Sequence, residues 1–380
     1  MGRMRSLTLV WLLLAAGAAA QEPTPSPSPS PPSGTFHAGP FAFGLGGRIK
    51  LDAIHDFDAI GSTDSFDPRT IPTDGAEATN TRLHARETRL SLDVTGPVEG
   101  RELKLYVEGD FYGSGNAFRL RHAYGRYGGL LAGQTWSTFM DEDNIPNTID
   151  FETPEAYALA RLGLVRFTTR VSRRASLSFA VEDGNAQVVP PPGVTGAQEK
   201  PLPDLVTRLR FTSGHGHLQL SGSVGKARFR PNAGQHIDVT LWGVLGSARI
   251  PTAARDAAYA QVAYGPGVAH YRSGIAVAPD ASGRLDAVEA IGLMGGYEHY
   301  WSRRWSSNAV YSVAKALNAL GDPATTNKRL DYVAVNLLFW FLDQRAWAGA
   351  EYLHGQREVR SGAHGAANRV QFAVRFNIPG

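Results

Sequence analysis

The 380-residue chain contains no cysteine. That absence excludes disulfide staples, thiolate metal sites and cysteine nucleophiles together. Beyond its first 20 residues the chain also lacks any apolar run long enough to cross a bilayer as a helix, and mean hydropathy is −0.21. A helical membrane protein is therefore excluded. Neither charge sign dominates: 38 basic residues stand against 35 acidic ones, a formal net charge of +3. That balance gives no footing for nucleic-acid binding. HExxH, GxSxG and a phosphate-cradling glycine loop ahead of a helix are all missing, so no enzyme class, catalytic residue or cofactor is indicated. What is abundant is glycine (42), phenylalanine (17), tyrosine (13) and tryptophan (7). These suit the tight turns and aromatic girdles of a membrane barrel, in which only alternate strand residues need to be apolar.

The N-terminus has the anatomy of an export signal. Arg3 and Arg5 form a basic start, Leu7 to Ala16 an apolar stretch, and Ala18-Ala19-Ala20 a small-residue site, which predicts a signal peptide over 1–20. The apolar stretch is too short to span a bilayer. Glu22 to Ser33 (EPTPSPSPSPPS) has no apolar face. It predicts an extended, polyproline-like periplasmic linker over 21–40, followed by a single domain over 41–380. An exported fold without disulfides needs another device to close it, and a barrel has no free sheet edge.

The segment ELKLYVEGDFY, Glu102 to Tyr112, separates cleanly into two faces. Leu103, Leu105, Val107 and Phe111 alternate with Lys104, Tyr106, Glu108, Asp110 and Tyr112. A period of two marks a strand between different solvents. The pattern recurs about sixteen times between Gly44 and Phe376. Short connections (Gly128–Gly129, Ser172–Arg174, Gly214–Gly216) alternate with long ones (Asp56–Thr81, Thr138–Leu159, Asp183–Asp204, Gly265–Asp286). The predicted fold is all-β: a transmembrane antiparallel β-barrel of about 16 strands, with short periplasmic turns and long extracellular loops. Over Arg82–Thr95 the apolar parity slips, with Leu83 and Ala85 odd but Leu90, Leu92 and Val94 even. Either a β-bulge or a strand end above the lipid accounts for it. The last strand alternates Val370, Phe372, Val374 and Phe376 with Gln371, Ala373 and Arg375.

Chemistry concentrates in the loop Thr138–Leu159, which holds Asp141, Glu142, Asp143, Asp150, Glu152 and Glu155. The strands around it carry Arg48, Lys50, Arg82, Arg86, Arg89, Lys104, Arg119 and Arg121, and later Arg166, Arg170, Arg208 and Arg210. Folded into the lumen, such a loop sets carboxylates against guanidinium groups and produces a transverse field at the constriction. Arginine suits this role because it stays ionised and binds carboxylates bidentately. Tyr106, Glu108, Asp110, Gln134 and Trp136 are expected to line the same pore. Asp141-Glu142-Asp143-Asn144 lacks the glycine and ligand spacing of a calcium loop. His215 and His217 read as a solvated periplasmic turn rather than metal ligands.

Several blocks resemble one family. RETRLSLDVTGP (Arg86–Pro97), KLYVEGDFYG (Lys104–Gly113), RLRHAYGRYGGLLAGQTWSTFMD (Arg119–Asp141) and PNTIDFETP (Pro146–Pro154) resemble DcaP-like porins of Gram-negative bacteria. GGRIKLDAIHDF (Gly46–Phe57) and GGYEHYWS (Gly295–Ser302) are similar to weaker blocks. The resemblance implies a trimeric, sixteen-stranded channel among outer-membrane lipid and lipopolysaccharide, passing small anionic solutes including dicarboxylates. It implies a constriction between the basic face of Arg48, Lys50, Arg119 and Arg121 and the acidic loop. Members often carry a coiled coil before the barrel, which the Pro/Ser run cannot form. A general or sugar-selective porin and a plugged surface barrel stay open as alternatives.

Overall fold

The computed structural model describes residues 35–378 except 185 and 273; the predicted export signal and the Pro/Ser run lie outside them. Sixteen antiparallel strands follow one another in chain order. β1 is Phe41–Asp56, and β2 is one strand in two segments, Asn80–His84 and Arg89–Val98. β3 to β8 are Arg101–Asp110, Arg119–Tyr127, Leu130–Trp136, Arg161–Arg170, Ala175–Glu182 and Asp204–Ser213. β9 to β12 are Gly216–Pro231, Ile237–Pro251, Ala257–Pro266 and Glu289–His299. β13 to β16 are Trp305–Ala316, Asn327–Phe341, Ala346–Val359 and His364–Ile378. β16 pairs back onto β1 from Gly47↔Ile378 to Asp56↔Arg369, which closes the barrel and removes both sheet edges. Ahead of β1, Phe36–Ala38 pairs with the first residues of that strand.

Cross-strand partners share a face, so the register carries each side around the wall. Leu45, Leu92, Val107 and Ala123 form one such row. Its leucines and valine are exposed, and the same holds for Val165, Phe179, Leu220, Leu293, Val335 and Phe372 elsewhere on the circumference. A continuous outward belt of large apolar side chains suits hydrocarbon and not water. Rings of Trp305, Phe339, Phe341 and Phe376 touch in sequence at the short-turn end, where an interfacial girdle belongs.

The parity slip has a local cause. β2 breaks over 85–88, and both Leu83 and Leu90 face outward although their numbers differ in parity. The break turns Glu87 onto Arg48 and Lys50.

The apolar core lies inside the barrel, formed where loops lean on one half of the wall. Phe66 and Ile71 come from the loop 57–79, Phe139, Met140 and Tyr157 from 137–160, and Val268 and Tyr271 from 267–288. They pack on Leu245, Tyr259, Met294, Tyr332, Ala334 and Leu353. Gly355 makes this possible, because a Cβ there would stand 2.8 Å from the Phe66 ring. A second cluster at the long-loop end joins Phe229 and Leu241 of β9 and β10 to Val277 and Leu285.

Candidate functional site

The loop 137–160 leaves the end of β5 and folds into the lumen. At its root, Ser137 Oγ donates to Glu182 of β7 at 2.5 Å and Thr138 N–H to the same carboxylate at 2.6 Å. Asp141 follows, fully buried. It accepts from Arg210 at 3.2 Å, from His217 Nε2 at 2.7 Å and from Ser247 Oγ at 2.6 Å. Burial works against its ionisation, yet His217, Arg210 and Ser247 hold it below the usual carboxylate range. Asn144 donates to the Ala248 and Ala260 carbonyls of β10 and β11 at 3.1 and 2.8 Å. Further round, the N–H groups of Ile149 and Asp150 donate to Glu351 of β15 at 2.9 and 2.7 Å. The Asp150 carboxylate receives Phe66 N–H at 3.0 Å and lies 3.5 Å from Arg369. The return leg meets Arg272, which donates to Glu152 at 2.7 Å and to Glu155 at 3.3 Å. Burial pushes Asp150 up to about 8 and Glu155 up to about 7, against the pull of Arg369 on the first and of Arg272 and Arg69 on the second.

The loop is therefore stapled along β8 to β16, and five of its six acids serve that attachment. Asp143 joins Asp141 on Arg210. Only Glu142 is exposed, and among the described residues no ion pair is formed by it. Sequence reasoning set all six acids across the lumen from the wall. Desolvation decides otherwise, since a carboxylate pressed between loop and wall must be paired locally. Asp141, Asp143 and His217 place ligand atoms within 4.8 Å of one another, but Arg210 already occupies both carboxylates, so a cation would have to displace it.

The facing wall, β1 to β8, carries its own charges. Arg119 grips Asp110 through two bonds of 3.0 and 2.9 Å, and Arg121 joins Glu108 to Asp110 at 2.8 Å each. Arg89 lies 3.8 Å from both Glu87 and Glu108. Arg48 and Lys50 share Glu87, with Lys50 also 3.0 Å from Asp52 and donating to the Ile149 carbonyl. Lys104 meets Asp93 at 2.6 Å, and Arg82 and Arg86 both meet Asp64 of the loop 57–79. Tyr106 donates to Glu108 at 3.0 Å. Phe151 at the loop's far point stacks on Tyr112 at 3.8 Å, with Arg119 and Arg121 beside it.

Among the arginines expected to line the pore, three stand apart. Arg166 and Arg170 on β6 and Arg208 on β8 form no ion pair among the described residues; Arg208 only touches Ser178 Oγ, at 3.2 Å. The β7 residues between them are small: Ala180 is partnered by Arg166 and Ser178 by Arg208. Small side chains there leave the guanidinium groups room to face the lumen.

Two sequence expectations are corrected. Gln134 is partnered by Ala123 and Gly163, which puts it in the outward row of Leu45 and Val107. Its amide donates to the Arg121 carbonyl at 3.1 Å. An extra residue at Arg121, where β3 and β4 shift register, flips the expected parity. Trp136, two residues on, packs against His122 at 5.1 Å and under Arg161 at 5.0 Å. His217 is no solvated turn residue: it is buried on β9 and holds Asp141. Arg272, Glu351 and Arg369 also escaped the sequence, because nothing local distinguishes a wall residue that faces a loop from one that faces water.

The family model of the DcaP outer membrane protein matches residues 41–378. The chain belongs to this family. Among solved structures, the outer membrane channel DcaP of Acinetobacter baumannii superposes with a TM-score of 0.81 at 23% identity, covering 90% of this chain and 99% of that one. The anion-selective porin from Comamonas acidovorans gives 0.58 at 12% identity, covering 89% and 100%. The trimer form of OmpT from Vibrio cholerae gives 0.57 at 12%, covering 89% and 99%. The comparison with curated proteins found no match. This DcaP family member is thus an outer-membrane channel of the porin type.

Proposed function

We propose that this channel passes small hydrophilic solutes by diffusion and favours anions, dicarboxylates among them. The observation that carries the reading is the set of arginines on β6 and β8, Arg166, Arg170 and Arg208, with no carboxylate partner. Among the described residues, Arg161 and Arg375 meet tryptophan rings and no carboxylate, and the other cations of this wall are largely matched by Glu87, Glu108 and Asp110, so the uncompensated charge of the wall is positive. A lumen of positive potential raises the local anion concentration. Separate guanidinium groups offer several loose sites in place of one deep one, which keeps transit fast. A dicarboxylate spans two such groups.

The chain works as a homotrimer in lipid and lipopolysaccharide, a reading supported by the family and by the trimer form of one structural neighbour. Residues 1–20 act as the export signal, and the expected 21–40 linker acts as a periplasmic spacer up to Phe36–Ala38, which joins the sheet. A planar-bilayer recording across a KCl gradient tests the anion claim: the reversal potential is expected to report anion preference at low salt. A clear cation preference overturns it. Liposome swelling that ranks sugars above dicarboxylates would favour a sugar-selective channel instead.

A further inference from the structure

A second, partly open space lies away from these arginines. It occupies about 220 Å³ between the return leg of the constriction loop, the turn Val268–Arg272 and the inner wall of β11 to β14. The wall there is unlike the rest of the lumen. Ala263, Gly292 and Ala314 are direct cross-strand partners, and Ala290 and Ala316 form the next row. Only Gly292 is required by the loop, since a Cβ would stand 2.9 Å from the Ala156 carbonyl oxygen. The four alanines leave open space that larger side chains would close.

The polar edge of the cavity is already balanced in charge. Arg69 is paired with Asp67 at 2.8 Å and with Glu155 at 3.4 Å. Arg272 is paired with Glu152 at 2.7 Å and with Glu155 at 3.3 Å. Lys315, Lys328 and Arg329 also line the space, the latter two paired with Glu358 and Asp331, so five cations meet five carboxylates and an incoming anion would add a sixth. Arg272 is only 10% exposed, and its Nε–H has no acceptor. The edge therefore has a donor to give and no net positive charge to attract an anion.

We propose that this cavity is a side chamber for a small neutral amphipathic molecule: an apolar ring or short chain ending in a carbonyl or amide oxygen. An apolar cavity of roughly 150 Å³ admits benzene, so this one has room for a ring with one polar substituent. The oxygen lies toward Arg272 and the ring against Ala263, Ala290 and Ala314. The inference does not depend on the anion reading, because it names a different solute class at a different wall.

The test uses the full-length barrel in lipid nanodiscs, with benzamide and benzoate as probes followed by saturation-transfer NMR. Benzamide is expected to bind saturably, and benzoate at least about tenfold more weakly. Ala314→Phe fills the chamber and should weaken benzamide by about tenfold or more, while the KCl reversal potential stays as in the wild type. Ala290→Leu provides the same reading if Ala314→Phe fails to fold, folding being judged by heat-modifiable gel migration. Absence of saturable benzamide binding, or equal binding in a folded filled variant, overturns the chamber. Benzoate binding as well as benzamide overturns the neutral class and joins the cavity to the anion path.

Discussion

Neutralising Arg166 and Arg208 is the most direct test of how this lumen sorts ions. Both lack an ion-pair partner, so replacing them with glutamine orphans no carboxylate and should leave the fold intact. In water, unit charges about 7 Å apart interact by about 0.6 kcal/mol. At 0.1 M salt, where the screening length is about 10 Å, roughly half of that survives. One arginine then lowers an anion and raises a cation by about 0.3 kcal/mol each, a change in permeability ratio of about threefold. Arg166→Gln or Arg208→Gln should therefore reduce the chloride-over-potassium ratio about threefold, and the double variant about eightfold. The assay is the reversal potential across a KCl gradient. At molar salt, with a screening length of about 3 Å, the effect should nearly vanish. Arg228→Gln is the control, since Arg228 is paired with Asp238 on the exposed part of the β9–β10 hairpin. An unchanged ratio in the double variant, or an equal shift at both salt concentrations, would refute the reasoning.

Three further outcomes are expected. Asp141→Asn removes the charge that Arg210 and His217 face; a disrupted buried pair costs about 3 kcal/mol, so the loop should loosen and single-channel traces should show added closures, whereas a trace as quiet as the wild type would count against the staple. Asp150 and Glu155 carry folded-state values above their ordinary ones, so protonation favours the folded loop: this contribution is complete below about pH 4 and is lost as pH rises through about 7 to 8. The thermal midpoint of the barrel should accordingly fall between pH 5 and 8.5, and Asp150→Asn should flatten that fall; a midpoint rising with pH contradicts it. Val335→Arg places a charge on the lipid face near the middle of β14 and costs about 2–4 kcal/mol, read as a lower yield of folded barrel on refolding into vesicles; an undiminished yield would remove Val335 from that face.

How much was legible from the residues depended on whether the deciding interaction was local. The strand alternation is local, because each side chain meets either hydrocarbon or water whatever its distant neighbours do. Hence the lipid face of Leu103, Leu105 and Val107 could be read directly. The slip between Leu83 and Leu90 was visible too, although only the fold shows that its product is Glu87 turned onto Arg48 and Lys50. Gln134 shares the outward face of Leu130 on its own strand, and the register shift beside Arg121 is what separates it from the inward Arg119 and Arg121 of the neighbouring strand.

The alternating faces, the sorting of short and long connections and the family blocks by themselves determined that this chain is an outer-membrane barrel with a charged inner loop. They also marked the acids and the arginines as the groups of interest. Only the tertiary structure decided which charges cancel. Asp141 meets His217 across 76 positions, and Asp150 meets Arg369 across 219. Barrel closure and loop infolding create those meetings, and burial then forces each carboxylate to find a partner. What escapes cancellation among the arginines singled out, Arg166, Arg170 and Arg208, is a remainder that no single stretch of sequence contains.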